Sequence, residues 1–210
     1  EKIFIVDESG QLLSGDEALA YMSSIHMQAH PLSQLGFPVS ASKVLENLAA
    51  QCQCQITRLR THPRYLMEAA KLRPGLFVGE QTGGYIFPDL LPVFDGMLSV
   101  LKLLEGMAHS GTSIRSAIDH MPHSNIEHKR IPCTWDQKGR VMRGLIELTH
   151  DGAVELVDGI RIHYNDGAVL VLPDADQPFF YIQAEASAPD QATALVERYA
   201  EKVLQLRESH

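Results

Sequence analysis

Apolar runs of strand length alternate with helical apolar stripes through the first half of the chain. Residues 3–6 and 11–13 are two such runs around an Asp-Glu-Ser-Gly turn, which predicts a hairpin. Apolar positions then recur every three residues from Leu19 to Ile25, and we expect Asp16 to cap this helix. Further strands are predicted at residues 37–39, 52–59 and 76–78, and further helices at residues 42–48, 64–72 and 95–107. This alternation predicts an α/β fold class, with an α/β/α layer domain built on a mixed sheet.

The pattern of the second half is that of an antiparallel sheet. An Asp-Gly turn at residues 158–159 and an Asn-Asp-Gly turn at residues 165–167 separate three apolar runs, and Asp-Gly between such runs is a strong hairpin signal. A fourth run covers residues 179–184. Helices are predicted before and after these runs, at residues 137–148 and 195–206. We therefore expect an α+β domain with a four-stranded antiparallel sheet and helices on one face.

A polar stretch at residues 109–133 separates the two patterns and is predicted to be rich in loops. We place the domain boundary inside it, which gives a hairpin at residues 1–14, an α/β domain at residues 15–122 and an α+β domain at residues 123–210. Glu1 leads directly into a strand pattern without an initiator methionine. We therefore expect the chain to be a processed or excised piece of a longer protein.

Composition narrows the class of partner. With 45% hydrophobic and 21% charged residues, and with no run of 18 apolar residues, the chain is expected to be globular and to lack a membrane span. A net charge of −8 argues against nucleic acid as the main partner, because such binding relies on clustered Lys and Arg. Three cysteines in 210 residues do not form a disulfide framework, which indicates a reducing cytoplasm.

The glycine-rich stretch Gly-Glu-Gln-Thr-Gly-Gly at residues 79–84 is the candidate binding loop. It follows a short apolar run, and α/β folds bind ligands in loops that follow strands. It lacks a lysine and the GxGxxG spacing, so it is neither a Walker loop nor a dinucleotide fingerprint. It contributes the carboxylate of Glu80, the amide of Gln81 and the hydroxyl of Thr82, which suit sugar hydroxyls. The alternative is a turn in which Glu80 is only solvated.

This loop resembles the sugar-binding loop of the third domain of the α-D-phosphohexomutases, the phosphomannomutase and phosphoglucomutase superfamily, which usually reads Gly-Glu-x-Ser-Gly-Gly or Gly-His. Three flanking segments agree with the resemblance. Residues 3–16 are similar to the strand and hairpin after the family's magnesium loop, residues 95–105 to its Asp-Gly-containing helix, and residues 158–161 to the Asp-Gly hairpin of its fourth domain. The resemblance runs through nearly the whole chain.

The resemblance implies which residues bind substrate. Glu80, Gln81, Thr82 and Gly83 are implied as sugar contacts, and Arg64 as the cation that stands in place of a family lysine. In the family, a phosphoserine loop in the first domain and a magnesium loop in the second perform the chemistry. This chain is expected to correspond to the third and fourth domains, with residues 1–14 as a remnant of the second. It is therefore expected to contain no catalytic residue and no metal ligand, although Mg²⁺ is the cofactor of the full family.

The fourth-domain phosphate loop departs from the family pattern, which is usually Arg-Pro-Ser-Gly-Thr-Glu-Pro. The corresponding residues 172–178 read Leu-Pro-Asp-Ala-Asp-Gln-Pro. Leu172 replaces the arginine that would form a bidentate bond to phosphate, and Asp174 and Asp176 replace hydroxyl side chains. Because carboxylates repel phosphate, this loop is expected to have lost its phosphate grip.

Two sets of side chains are alternatives for a metal site. Cys52 and Cys54 form a Cys-x-Cys pair that we expect to be structural, with both thiols on one strand face. His120, His123, His128 and Cys133 match no standard zinc spacing, so the histidines are expected to be solvated.

Two functions are predicted. The first is the C-terminal part of a phosphomannomutase- or phosphoglucomutase-like protein of hexose-phosphate metabolism, an isomerase family, that is not catalytic alone. The alternative is a noncatalytic module that binds a sugar or sugar nucleotide, or that serves oligomerisation of an attached nucleotidyltransferase. The expected partners are a hexose phosphate or sugar nucleotide, and further copies of the chain or N-terminal domains outside it.

Overall fold

Two units make up the computed structural model, which describes residues 1–88, 90–149, 153–165 and 167–208. They are Glu1–His123 and Ser124–His210. The division lies within the polar stretch at residues 109–133, one residue after the position we chose for the boundary.

The first unit is built on a mixed sheet of four strands. Its order is β2-β1-β3-β4, with β1 parallel to β2 and β3 and with β4 antiparallel to β3. The elements in chain order are α1 (Gly15–Ala29), β1 (Gln34–Pro38), α2 (Val44–Gln51), β2 (Gln55–Leu59), α3 (Pro63–Leu72), β3 (Leu76–Gly79), β4 (Tyr85–Ile86), α4 (Gly96–Ser110) and α5 (Ile114–Asp119).

Helices cover both faces of this sheet, because its strands carry apolar side chains on both sides. Leu35 and Phe77 pack with α1, α2 and α5 in one core cluster. Val78 packs with Leu66 and Ala70 of α3 in another. The predicted α/β/α layers are therefore confirmed.

The second unit is an antiparallel sheet of five strands in the order β5-β9-β8-β7-β6. The core cluster combines apolar residues of this sheet with those of α6 and α7. The elements are β5 (Asn125–Pro132), α6 (Trp135–Glu147), β6 (Ala153–Glu155), β7 (Ile160–Tyr164), β8 (Gly167–Pro173), β9 (Phe179–Ala186) and α7 (Pro189–Glu208). Of the predicted Asn-Asp-Gly turn, Asp166 lies outside the described residues.

The prediction of four strands in this sheet was wrong by one strand. Residues 109–133, expected to be mainly loop, contain α5 and β5, and β5 pairs with β9 along its whole length. β5 is an edge strand that carries His128, Lys129 and Arg130, and charged residues are typical of edge strands because they discourage pairing with other chains. Because of these charged residues, β5 has no apolar pattern by which the sequence could predict a strand.

Two local predictions are also corrected. Ser14, not Asp16, caps α1: its hydroxyl accepts a hydrogen bond from the Glu17 amide at 3.2 Å, and the Glu17 carboxylate accepts one from the Ser14 amide at 2.7 Å. Cys52 and Cys54 do not share a strand face, because Cys52 ends α2 and β2 begins only at Gln55.

The predicted N-terminal hairpin is present with little regular strand. A single antiparallel bridge joins Val6 to Leu12, and the Leu13 amide donates to the Ile5 carbonyl at 2.9 Å. Ile5 and Leu13 are buried in the same core cluster as α1. The hairpin is therefore fixed to the first unit by its side chains. Among the helices that the structure describes, none is both long and apolar enough to cross a membrane.

Candidate functional site

The glycine-rich loop lies at the carboxyl edge of the parallel strands of the first unit. Residues 80–84 follow β3, residues 39–43 follow β1 and residues 60–62 follow β2. The carboxyl ends of parallel strands meet at one edge of a sheet, which is where open α/β sheets bind ligands. This position agrees with the predicted strand-to-loop setting.

Glu80 is buried in the loop, where its carboxylate contacts the ammonium of Lys2 and the hydroxyl of Thr82. Only 5% of the residue is exposed. Its Oε1 atom lies 3.2 Å from Lys2 Nζ and accepts a hydrogen bond from Thr82 Oγ1 at 2.6 Å. Lys2 Nζ also donates to Thr82 Oγ1 at 2.5 Å. The carboxylate is thus a held acceptor, not the freely solvated group of the alternative interpretation.

The negative charge of Glu80 acts on Tyr85, a buried tyrosine next to the loop. Tyr85 begins β4 and is 1% exposed, and its hydroxyl has no hydrogen-bond partner among the described residues. Burial, followed by the negative charge of Glu80, raises the pKa of the Tyr85 phenol. Tyr85 therefore stays neutral beneath the carboxylate.

Gln81 fastens the loop to the segment after β1. Its Nε2 donates to the Ser40 carbonyl at 2.7 Å, and its Oε1 accepts from Ser40 Oγ at 3.1 Å. The amide side chain is therefore engaged at both ends by protein. Its predicted sugar contact stays a prediction, and the observed geometry gives it a positioning role.

Gly83 allows the N-terminal hairpin to touch the loop. The Ile3 amide donates to the Gly83 carbonyl at 2.9 Å. Gly83 has φ +89°, and a Cβ atom there would lie 2.1 Å from the Ile3 carbonyl oxygen. Only glycine fits both the left-handed conformation and this approach.

Arg58 holds the neighbouring segment rigid. Its Nη1 donates to the carbonyls of Pro38 and Ala41 at 3.1 and 2.8 Å, and its Nη2 donates to the Ser42 carbonyl at 3.1 Å. The same guanidinium pairs with Glu46 at 2.6 Å. Ser40, which binds Gln81, is therefore anchored from both sides.

Arg64 lies apart from this cluster. It is exposed in the first turn of α3, after β2, and its amide donates to His62 Nδ1 at 3.2 Å. β2 and β3 flank β1 on opposite sides, so they are two strand spacings, or about 10 Å, apart. Within the described chain, no hydrogen bond or ion pair links Arg64 to the loop.

The turn at residues 174–177 of the second unit is closed on itself. Asp174 Oδ1 accepts hydrogen bonds from the amides of Asp176 and Gln177 at 2.9 and 2.8 Å. Lys138 Nζ is buried beside it and donates to the carbonyls of Asp174 and Gln177, each at 2.5 Å. The ammonium also lies 3.8 Å from the centroid of the Trp135 ring. The amides of the turn therefore already bind a carboxylate.

The sequence offers two sets of side chains as alternatives for a metal site, Cys52 with Cys54, and His120, His123 and His128 with Cys133. Across residues 1–88, 90–149, 153–165 and 167–208, no three His, Cys, Asp or Glu side chains are placed to hold a metal ion. Cys133 is buried, and the His128 ring stacks on Tyr181 with centroids 5.3 Å apart.

Lys2 and Ser40 are the site residues that the sequence alone did not identify. Both reach the loop from distant segments, by contacts that apolar periodicity does not encode. The signal that could have found Lys2 is its place beside the family's magnesium loop.

The chain is similar in sequence to proteins of one known family. Residues 14–124 match the family model described as phosphoglucomutase/phosphomannomutase, alpha/beta/alpha domain III. A phosphoglucosamine mutase of Methanococcus aeolicus is 30% identical over 203 residues, a match that covers 94% of this chain and 45% of that protein. The chain thus spans less than half the length of this relative.

Solved structures show the same fold at lower identity. A phosphoglucomutase/phosphomannomutase family protein from Burkholderia thailandensis superposes with a TM-score of 0.83 at 16% identity, over 99% of this chain and 45% of that one. Aspergillus fumigatus N-acetylphosphoglucosamine mutase, solved in complex with GlcNAc-6P and magnesium, gives a TM-score of 0.69 at 15% identity, over 97% of this chain and 46% of that one.

Proposed function

The chain belongs to the phosphoglucomutase/phosphomannomutase family of the α-D-phosphohexomutase superfamily, and from this premise we propose that residues 79–84 bind the sugar ring of a hexose phosphate. Among the solved structures of similar fold, the Aspergillus fumigatus enzyme was crystallised with a hexosamine phosphate, GlcNAc-6P. Hexose phosphates are therefore the ligand class to test first.

The geometry of Glu80 carries the proposal. Both of its side-chain contacts, to Lys2 and to Thr82, are made by Oε1. Oε2 accepts no hydrogen bond from any residue in the described ranges. A carboxylate held by one oxygen presents the other to a ligand hydroxyl, and charge-assisted hydrogen bonds of this kind are strong.

A titration of the ¹⁵N-labelled chain with glucose 1-phosphate or GlcNAc-6P tests this role. We expect saturable amide shifts at residues 80–84. Glu80→Ala is expected to weaken binding about tenfold, since a hydrogen bond to a charged group contributes roughly 1.5–3 kcal/mol. Glu68→Ala, which removes an exposed carboxylate from α3, is the matched control. Shifts that avoid the loop, or equal affinities for the two variants, would contradict the proposal.

The 210 residues alone are proposed not to interconvert hexose phosphates. The sequence contains neither a Thr-Ala-Ser-His-Asn-Pro-like loop nor an Asp-Gly-Asp-x-Asp-Arg motif, to which the family resemblance assigns the chemistry. Phosphoryl transfer depends on positioning and charge stabilisation by such groups. Assays with mannose 1-phosphate and glucose 1-phosphate should give background rates, and turnover by the purified 210-residue chain would refute this part.

The closed turn at residues 174–177 favours a second candidate, a noncatalytic module for a sugar or sugar nucleotide, attached to a nucleotidyltransferase. Asp174 occupies the amides with which a turn of this kind would bind phosphate. If this is the function, removing the phosphate from the ligand should change its affinity less than about twofold. A large preference for the phosphate form would favour the mutase-like role instead.

The proposal includes a cellular location and an oligomeric state for the chain. The three cysteines are free thiols, Cys52 and Cys54 half-buried and Cys133 buried. This supports a cytoplasmic location. A homo-oligomer is the proposed form of the assembly role, and scattering that shows a strict monomer across micromolar concentrations would exclude it.

A further inference from the structure

A cavity rich in arginine lies between α6 and α7 of the second unit. Its volume is about 680 Å³, within the range of small-molecule sites. It is lined by Asp136, Gln137, Arg140, Arg143, Arg207 and Glu208, here called the arginine cavity.

Backbone carbonyls hold two of the arginines in place. Arg140 Nη2 donates to the Arg207 carbonyl at 2.7 Å, and Arg207 Nη1 donates to the Pro132 carbonyl at 2.9 Å. Two like charges thus line one cavity and are oriented by neutral groups.

Some guanidinium donors of the cavity are unused. The Arg140 Nε atom is shielded from solvent and has no hydrogen-bond acceptor among the described residues. Arg143 lies three positions later on the same face of α6, is exposed, and makes no hydrogen bond or ion pair in the part of the chain that the structure describes. A buried donor without an acceptor is costly, and an anion that lets Arg140 turn toward the cavity removes that cost.

The two carboxylates of the cavity are already engaged. Glu208 Oε1 lies 3.3 Å from Arg207 Nη2. The pKa of Asp136 is lowered by its hydrogen bond with the Thr134 side chain, then by its own amide, with a smaller contribution from Arg140. The arginines outnumber them by one, which leaves the lining net positive.

We propose that the arginine cavity binds a phosphoryl group. Arg143, whose donors are all unused within the described chain, can direct paired N–H groups at a tetrahedral oxyanion, and Arg140 can add its unused donors once it turns toward the cavity. Arg207 already donates to Pro132 and lies beside Glu208, so it contributes mainly its charge. The lining is confined to six side chains at adjoining ends of α6 and α7, an area that suits a small anion better than a peptide or a lipid surface. The lining shares no residue with the loop at residues 79–84 or with the turn at residues 174–177, so the proposal does not depend on the sugar-binding role proposed above.

The test is a titration of the full 210-residue chain with inorganic phosphate at constant ionic strength, followed by the Nε–Hε resonances of the arginines. We expect saturable shifts of Arg140 and Arg207. Arg143→Gln is expected to weaken phosphate about tenfold, since it removes a charge-assisted contact. Arg198→Gln removes the same charge from an exposed site on α7 and should leave the affinity unchanged. Thermal melts would show that both variants fold.

Two further titrations, with glucose 1-phosphate and with a nucleoside diphosphate, identify the source of the phosphoryl group. Shifts of Arg140 with any of the three ligands support the proposal, and the tightest one names the class. The proposal is overturned if none produces a saturable shift, if sodium chloride produces the same shift, or if Arg143→Gln and Arg198→Gln bind equally.

Discussion

Lys2 Nζ lies 3.2 Å from Glu80 Oε1, so the N-terminal segment supplies the cation beside the buried carboxylate of the glycine-rich loop. We expect Lys2→Gln to loosen the hairpin by about 1 kcal/mol, since the pair is half exposed on the lysine side. The Ile3 amide, which donates to the Gly83 carbonyl, is the probe: its hydrogen exchange should accelerate about fivefold.

Lys71→Gln is the matched control for this prediction, because Lys71 is exposed on α3. An unchanged exchange rate at Ile3 in Lys2→Gln, or an equal change in Lys71→Gln, would show that the contact does not hold the hairpin.

Gly83→Ala is expected to destabilise the first unit by roughly 2–3 kcal/mol and to release residues 1–6 from the loop. A methyl group there meets the Ile3 carbonyl in addition to the strained left-handed backbone. Gly10→Ala is the control, since Gly10 has φ +84° with no atom within 4 Å of the added Cβ. Urea unfolding followed by amides of α1 measures both. If the two variants lose equal stability, the close approach of Ile3 to Gly83 does not contribute to the stability of the first unit.

Asp7 predicts an acid-sensitive link between the hairpin and α5. Its hydrogen bonds with the Ser9 hydroxyl and the Gln11 amide, and then with Arg115, hold the pKa of the Asp7 carboxyl far below its usual range. The folded state therefore binds fewer protons at this group than the unfolded state. The resulting stability is present above about pH 4, where the unfolded group is ionised, and is lost as the pH falls toward the folded value.

Asp7→Asn should consequently be less stable than the parent at pH 7 and should lose less stability between pH 4 and pH 2. Urea midpoints measured across that range check the prediction. Asp119→Asn is the comparison, because Asp119 faces the same arginine at 4.0 Å from an exposed position. Parallel pH profiles of Asp7→Asn and the parent would contradict it.

Lys138→Met is expected to destabilise the second unit by roughly 2 kcal/mol, because it removes a buried ammonium from two carbonyls of the turn at residues 174–177. The single tryptophan of the chain, Trp135, lies against this ammonium, so its fluorescence during urea unfolding reports the loss directly. Lys129→Met, which breaks a surface pair with Glu197, should cost less than about 1 kcal/mol. Equal losses would remove the special role of Lys138.

The apolar pattern was enough to predict most of the element order, because most helices bury one face and β1 and β3 of the first unit bury both. It failed for β5, where Lys129 and Arg130 are needed at an open sheet edge. It also misplaced the start of α1, since the Ser14 and Glu17 capping box competed with Asp16 for the same turn.

The loop itself could be found from sequence, because its glycines and polar side chains are consecutive. The contacts that hold it could not be found in this way: Lys2, Ser40 and Arg58 arrive from other segments. The arginine cavity is likewise formed by residues distant in sequence, since α6 contributes Arg140 and the far end of α7 contributes Arg207. Residues that meet only through packing leave no periodic signal.

The contact between Ile3 and Gly83 joins a residue before the start of the family match to a residue within it. The family match begins at residue 14, yet residues 2 and 3 bind the loop that lies within the match. Recombination at residue 14 would transfer the loop without the N-terminal segment that supports it. Among relatives, positions 2, 80 and 82 should therefore be inherited as one linked set.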